Sequence, residues 1–162
     1  MQLHNRIDRK ILKQQIEAST EERVTLSFYQ YAHIGNPHIF RDHLYLHWSE
    51  VGVLGRVYVA QEGINAQISV PKNQFDQFQE QLSTITFLEN VRLNIAVDDD
   101  GKSFYKLKIQ VKKKIVADGL NDTTFDVTDK GLHLQAEDFN KLADSPDTVI
   151  VDMRNHYESE VG

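Results

Sequence analysis

Two hydrophobic periods alternate along this chain, and their order predicts a fold. Residues 24–34, VTLSFYQYAHI, repeat every two positions: Val24, Leu26, Phe28, Ala32 and Ile34 share one face, Thr25, Ser27, Tyr29, Tyr31 and His33 the other. Gly35-Asn36-Pro37 ends that strand and opens a helix, with Asn36 as N-cap and Pro37 as the first helical residue. The helix, about 38–51, turns Phe40, Leu44, Trp48 and Val51 inward and closes at Gly52. VLGRVYVA (53–60) and AQISV (66–70) are two strands joined by the loop QEGIN, in which Gly63 supplies a positive φ. Pro71 starts a second helix over about 72–85, with Phe75, Phe78 and Leu82 inward, and VRLNIAV (91–97) alternates again as a fourth strand. The order β-α-β-β-α-β predicts an α+β, ferredoxin-like domain, an antiparallel sheet carrying both helices on one face.

Further elements flank this unit. RIDRKILKQQIE (6–17) spaces Ile7, Ile11, Leu12 and Ile16 as a short amphipathic helix. YKLKIQVKKKIV (105–116) predicts an extra strand, with Tyr105, Leu107, Ile109 and Val111 on one side and Lys106, Lys108, Gln110, Lys112 and Lys114 on the other. Residues 119–130 are polar and turn-rich. LHLQAEDFNKLA (132–143) reads as a short strand and a helix, and Thr148-Val149-Ile150-Val151 as a buried strand. The expected organisation is an amino-terminal helix over 1–19, the ferredoxin-like domain over 20–116, a connector over 117–131 and the start of another domain over 132–162.

A sheet with helices on one side leaves the other side to water or a partner. Alternation puts Tyr29, Tyr31 and His33 there from the first strand, Arg56 and Tyr58 from the second, Asn65, Gln67 and Ser69 from the third, and Arg92 and Asn94 from the fourth. Aromatics, arginines and amides on an exposed sheet are what an RNA-binding platform uses: rings stack bases, and cations and amides reach phosphates and base edges. The same face could instead be covered by the 105–116 strand, the amino-terminal helix or the next domain. AQISV also lacks the aromatic signature of RNA-recognition modules.

Charge sharpens the picture without deciding it. The formal net charge of −6 over 162 residues argues against a general nucleic-acid coat, yet five lysines fall within 106–114. Such a stripe would add salt-dependent affinity for each phosphate it neutralises. Lysines on an edge strand also block edge-to-edge aggregation.

Other chemistry is narrower. There is no cysteine, so this segment offers no thiolate nucleophile, disulfide or zinc-thiolate site. Asp98-Asp99-Asp100-Gly101 lacks the ligand spacing of a calcium loop and reads as a turn. His43 and His47 lie four apart on one helix with no third ligand in sight, so no metal site is expected. Glu62 and Asn65 fall at one end of the sheet, where they could face a neighbouring domain or cap the turn. An acylphosphatase mechanism needs an arginine in the loop after the first strand, and residues 33–37 hold none. No apolar run approaches the roughly 20 residues of a membrane helix, and the amino terminus lacks the apolar core of a secretory signal, so a cytoplasmic address is expected.

Several stretches carry a family likeness: LHNRI (3–7), SFYQYAHI (27–34), GRVYVAQEGINAQISV (55–70), RLNIAVDDDGKSF (92–104), IVADG (115–119) and VDMRNHYESEVG (151–162). Together they resemble the bacterial rhodanese-domain tRNA uridine hydroxylases over the whole chain. The resemblance implies an enzyme that uses molecular oxygen as co-substrate to convert the wobble uridine of certain tRNAs to 5-hydroxyuridine. It implies an amino-terminal ferredoxin-like domain followed by a rhodanese domain, with Asp152, Arg154, Glu158 and Gly162 in the first rhodanese box. The catalytic cysteine would then lie beyond Gly162, and this chain would be the amino-terminal portion of a truncated whole. On that view its partners are tRNA, contacted through Tyr29, Tyr31, Arg56, Tyr58, Arg92, Lys106, Lys108, Lys112 and Lys114, and its own rhodanese half, near Glu62 and Asn65. A rhodanese-type sulfurtransferase and a non-catalytic dimerisation module are the rival readings.

Overall fold

In the computed structural model, which describes residues 7–97, 99–115, 126, 128, 129 and 131–151, the two periods resolve into strands and helices in the expected order. After α1 (Arg9–Ala18) come β1 (Arg23–Tyr31), α2 (Pro37–Glu50), β2 (Leu54–Ala60), β3 (Gly63–Pro71), α3 (Phe75–Ser83), β4 (Asn94–Ile95), β5 (Leu107–Val111) and α4 (Ala136–Ala143). The sheet order is β4-β1-β3-β2-β5. Its first four strands pair antiparallel in the ferredoxin-like arrangement, and β5 adds parallel to β2. The chain divides into two compact units, Met1–Thr128 and Asp129–Gly162; the sheet belongs to the first and α4 to the second.

The alternation read from the sequence is the packing that results. Leu26, Phe28, Val57, Val59, Ile64, Ala66, Ile68 and Val70 are buried, and with Leu44 and Trp48 of α2 and Phe78 and Leu82 of α3 they form the core. Trp48 meets Phe28 and Phe78 edge-on, at centroid distances of 6.3 and 5.5 Å. Fully burying each such side chain contributes roughly 1.5–3 kcal/mol. Asn36 caps α2 as expected, its Oδ1 accepting from the backbone N–H groups of His38 and Ile39, each at 3.1 Å. On α1, Leu12 is buried while Ile11 is half exposed, as is Ile7 just before the helix, so the helix docks along a narrow stripe.

Several elements differ from the sequence reading. β3 starts at Gly63 rather than 66, because that residue's φ of +148° brings its backbone against β1; a Cβ there would sit 2.1 Å from the Gln30 carbonyl oxygen. β4 is two residues long, since Val91 and Leu93 pack against the core before the chain reaches register with Leu26 and Ser27. β5 spans 107–111 rather than 105–116. Residues 132–134 and 148–151 form no strand among the described residues: Val149, Ile150 and Val151 are exposed, and no ladder there receives their backbone groups. The first rhodanese box at 152–162 lies outside the described residues.

One polar residue, unsignalled by periodicity, ties the unit together. The Arg23 side chain is 5% exposed. It donates to Ser69 Oγ at 3.1 Å, to the Ser69 carbonyl at 2.9 Å and to the Gly52 carbonyl at 2.6 Å, and pairs with Glu21. Burial pushes the guanidinium below its ordinary pKa, and the Glu21 carboxylate pulls it back up. Gly101, at φ +70°, packs directly on Arg23, where a Cβ would fall 2.9 Å from the arginine Cβ. That contact fixes the segment linking β4 to β5, which must cross from one sheet edge to the other. Replacing Arg23 with leucine leaves two carbonyls without their donor, so we expect a loss of about 2–3 kcal/mol in urea unfolding; a change below about 0.5 kcal/mol would contradict this role.

Candidate nucleic-acid interface

The pairing register fixes which side chains share the helix-free face. One row runs Asn94, Ser27, Gln67, Arg56 and Lys108; the next runs Tyr29, Asn65, Tyr58 and Gln110. Tyr29 is 53% exposed and meets Tyr31 edge-on at 6.2 Å. Tyr58 is half-buried, with Lys112 Nζ 5.5 Å from its ring centroid. Arg56, Gln67 and Lys108 are exposed. Adjacent strands lie about 4.8 Å apart, which puts Tyr29 and Tyr58 roughly 10 Å apart across β3. Tyr29 is therefore open to a ligand, whereas Tyr58 is half-buried beside Lys112 and Asn65 between them is bonded to Ile115.

The rest of the expected set is spread more widely. Arg56, Lys106 and Lys108 line one cleft of about 440 Å³ together with Arg9 and Tyr105. Lys112 lies beside Tyr58, whereas Lys114 is half-buried next to Ile115. Arg92 is exposed but precedes β4, at the sheet edge opposite the lysines, and joins neither group. His33 projects outward, with Nε2 3.4 Å from Asp126. The face is partly covered at its Arg23 end, where the 99–106 segment and α1 lie: Lys102 Nζ donates to the Glu17 carbonyl at 3.0 Å, and Arg9 sits over the Tyr105 ring at 5.4 Å. Sequence reading missed Arg9, because helical periodicity says nothing about where a helix docks, and grouped Tyr105 with Leu107, Ile109 and Val111 rather than with the lysines.

Glu62 and Asn65 act as a pair. Glu62 Oε1 accepts from the Ile115 N–H at 2.7 Å, and Asn65 Nδ2 donates to the Ile115 carbonyl at 3.2 Å. Two side chains thus imitate a strand partner and hold the chain just past the lysines. Within the aspartate run Asp98 lies outside the described residues; Asp99 accepts from the Gly101 N–H and from Ser103 Oγ, both at 3.2 Å, the local bonding of a turn. The His43 and His47 rings lie 4.4 Å apart, tilted by 58°; partial burial and the second imidazole hold His43 below the ordinary histidine range. Among the described residues no three His, Cys, Asp or Glu side chains converge as metal ligands, and no helix is long and apolar enough to cross a membrane.

A family model described as the UPF0176 acylphosphatase like domain matches residues 23–115. The chain belongs to that family. The likeness is one of fold, since the acylphosphatase-type loop, here between β1 and α2, holds no arginine. Curated relatives bear out the resemblance read from the motifs. The tRNA uridine(34) hydroxylase of Pectobacterium carotovorum is 55% identical over 99% of this chain, and those of Photorhabdus laumondii and Leptospira interrogans are 52% and 49% identical over the same share. The chain spans 44–46% of the length of these relatives. It therefore corresponds to one part of such proteins, and that part contains the UPF0176 domain.

Hydrogen exchange checks the Ile115 clamp. Replacing Glu62 with alanine removes a charge-assisted acceptor, so the Ile115 amide should exchange at least about tenfold faster while Val59 in β2 keeps its protection. Unchanged exchange at Ile115 would show that the carboxylate does not hold it.

Proposed function

We propose that this chain is the tRNA-holding portion of an oxygen-dependent tRNA uridine hydroxylase that forms 5-hydroxyuridine at the wobble position. The observation that carries the reading is the open sheet face. Tyr29 and Tyr58 lie within a field of amides and cations, in a chain similar over 99% of its length to proteins named tRNA uridine(34) hydroxylase. Tyr29, Tyr31 and Tyr58 offer surfaces for unpaired bases, and Arg56, Arg92, Lys106, Lys108, Lys112 and Lys114 offer charges to the backbone. An anticodon loop is such a target, because its bases are unpaired.

The chemistry itself is assigned elsewhere. Molecular oxygen is the co-substrate on this reading, and the reactive cysteine belongs to a rhodanese half beyond Gly162. Glu62 and Asn65 contribute to the surface facing that half through the segment they hold at Ile115. A cytoplasmic setting follows, since tRNA is the substrate. The UPF0176 domain supplies position: it fixes where the loop lies, which is worth as much to a rate as a reacting group when two large partners must meet.

Binding of labelled unmodified tRNA tests this. Changing Lys106, Lys108, Lys112 and Lys114 to glutamine should weaken binding at low salt and flatten the salt dependence by roughly 0.7–0.9 per lost contact. Tyr29→Ala with Tyr58→Ala should weaken it by a further factor of about 5 or more at any salt, one stacked base being worth about 1–3 kcal/mol. Undetectable binding at low salt, or binding indifferent to both sets, would overturn the proposal.

A further inference from the structure

The cleft between α1 and β5 has a composition that the platform alone does not require. Arg9 comes from α1, Arg56 from β2, Lys106 from the segment entering β5, and Lys108 from β5 itself. Its other described lining residues are Gly55, Ser103, Phe104 and Tyr105, so four cations share one concavity with no carboxylate among the described lining residues. Gathering like charges in a chain of net charge −6 costs self-repulsion, which a bound anion would relieve. Edge protection accounts for Lys108 but not for the arginines: β2 lies between β3 and β5, and Arg9 is on a helix.

The cleft is also built rather than accidental. α1 is seated by the buried Leu12 and by the Lys102 bond to the Glu17 carbonyl. Tyr105, half-buried, lies under the Arg9 guanidinium at 5.4 Å. An aromatic floor beneath an arginine limits its rotamers and leaves its N–H fork free at the rim. The Gly55 N–H donates to the Lys106 carbonyl at 3.0 Å, which holds the entry to β5 against β2 and fixes where Lys106 begins.

The geometry points to this cleft as a grip for one backbone phosphate of a bound RNA strand, with Arg9 as a ligand delivered by the amino-terminal helix and Tyr105 as its positioning residue. This rests on the nucleic-acid reading of the open face and adds the group held, the place it is held and the helix that takes part. Planar guanidinium forks suit the two unesterified oxygens of a phosphodiester, and the lysines add charge at the walls. In the register Arg56 and Tyr58 share β2 two residues apart, so a phosphate held at Arg56 brings its neighbouring base alongside the Tyr58 row.

The test is fluorescence anisotropy of a labelled short single-stranded oligoribonucleotide against the full chain, over a series of salt concentrations. Arg9→Gln should lower affinity at low salt and flatten the log–log salt slope by about 0.7. Lys13→Gln, which removes an equal charge from the same helix outside the cleft, should change neither appreciably. Tyr105→Leu alters no charge and should weaken binding about two- to fivefold, while Tyr105→Phe keeps the ring and should bind as the unaltered chain does. Equal losses for Arg9→Gln and Lys13→Gln, or no loss for Tyr105→Leu, would overturn the grip. Binding that needs Tyr29 and Tyr58 but not Arg9 or Tyr105 would overturn the grip alone and leave the platform standing. No binding of any RNA at low salt would overturn both.

Discussion

β3 lies between β1 and β2 and is bonded along its whole length, and its inward residues Ile64, Ala66, Ile68 and Val70 are fully buried. Because side chains alternate along a strand, that commitment of one set to the core sends Asn65 and Gln67 to the opposite face with no freedom to choose. A register slip of one residue would expose four apolar side chains and bury two amides. Tyr29, Tyr58, Arg56 and Lys108 are held in rows by the same constraint. The core beneath therefore fixes which residues the outer face presents, and in what order.

A second constraint closes one end of that face. β4 and β5 occupy opposite edges of the sheet, so the chain between them must travel across, and it does so against Arg23. The crossing brings Lys102 to α1 and Tyr105 beneath Arg9. What the UPF0176 domain leaves open is thus an asymmetric surface, charged and concave at one end and aromatic across the middle. On the proposed reading, such an asymmetry would give a bound RNA a direction as well as an affinity.

Much of this was legible before any coordinates. Period-two and period-3.6 patterns located the four ferredoxin-like strands and both covering helices, because each element buries one face and leaves a regular trace. Asn36-Pro37 marked the start of α2 for a reason local to the backbone. Contacts made between segments distant in sequence left no such trace. Arg23 reads as an ordinary charged residue at a strand start, and nothing local announces that its fork will be buried against Ser69 and Gly52. Glu62 and Asn65 were visible as polar residues near a turn, but their shared partner is some fifty positions away. The lysine strand proved shorter than its alternation, since a ladder needs a neighbour as well as a pattern. Family likeness pointed to tRNA; the grouping of Arg56, Lys106 and Lys108 with Arg9 came only from the fold.

The central claim is that RNA lies on the helix-free face of the sheet. Ultraviolet cross-linking of the chain to tRNA, followed by mass spectrometry of the joined peptides, reads that placement directly. The account predicts adducts on peptides that contain Tyr29, Tyr58 and the 105–112 segment. Adducts concentrated on α2 and α3, with none on those peptides, would contradict it.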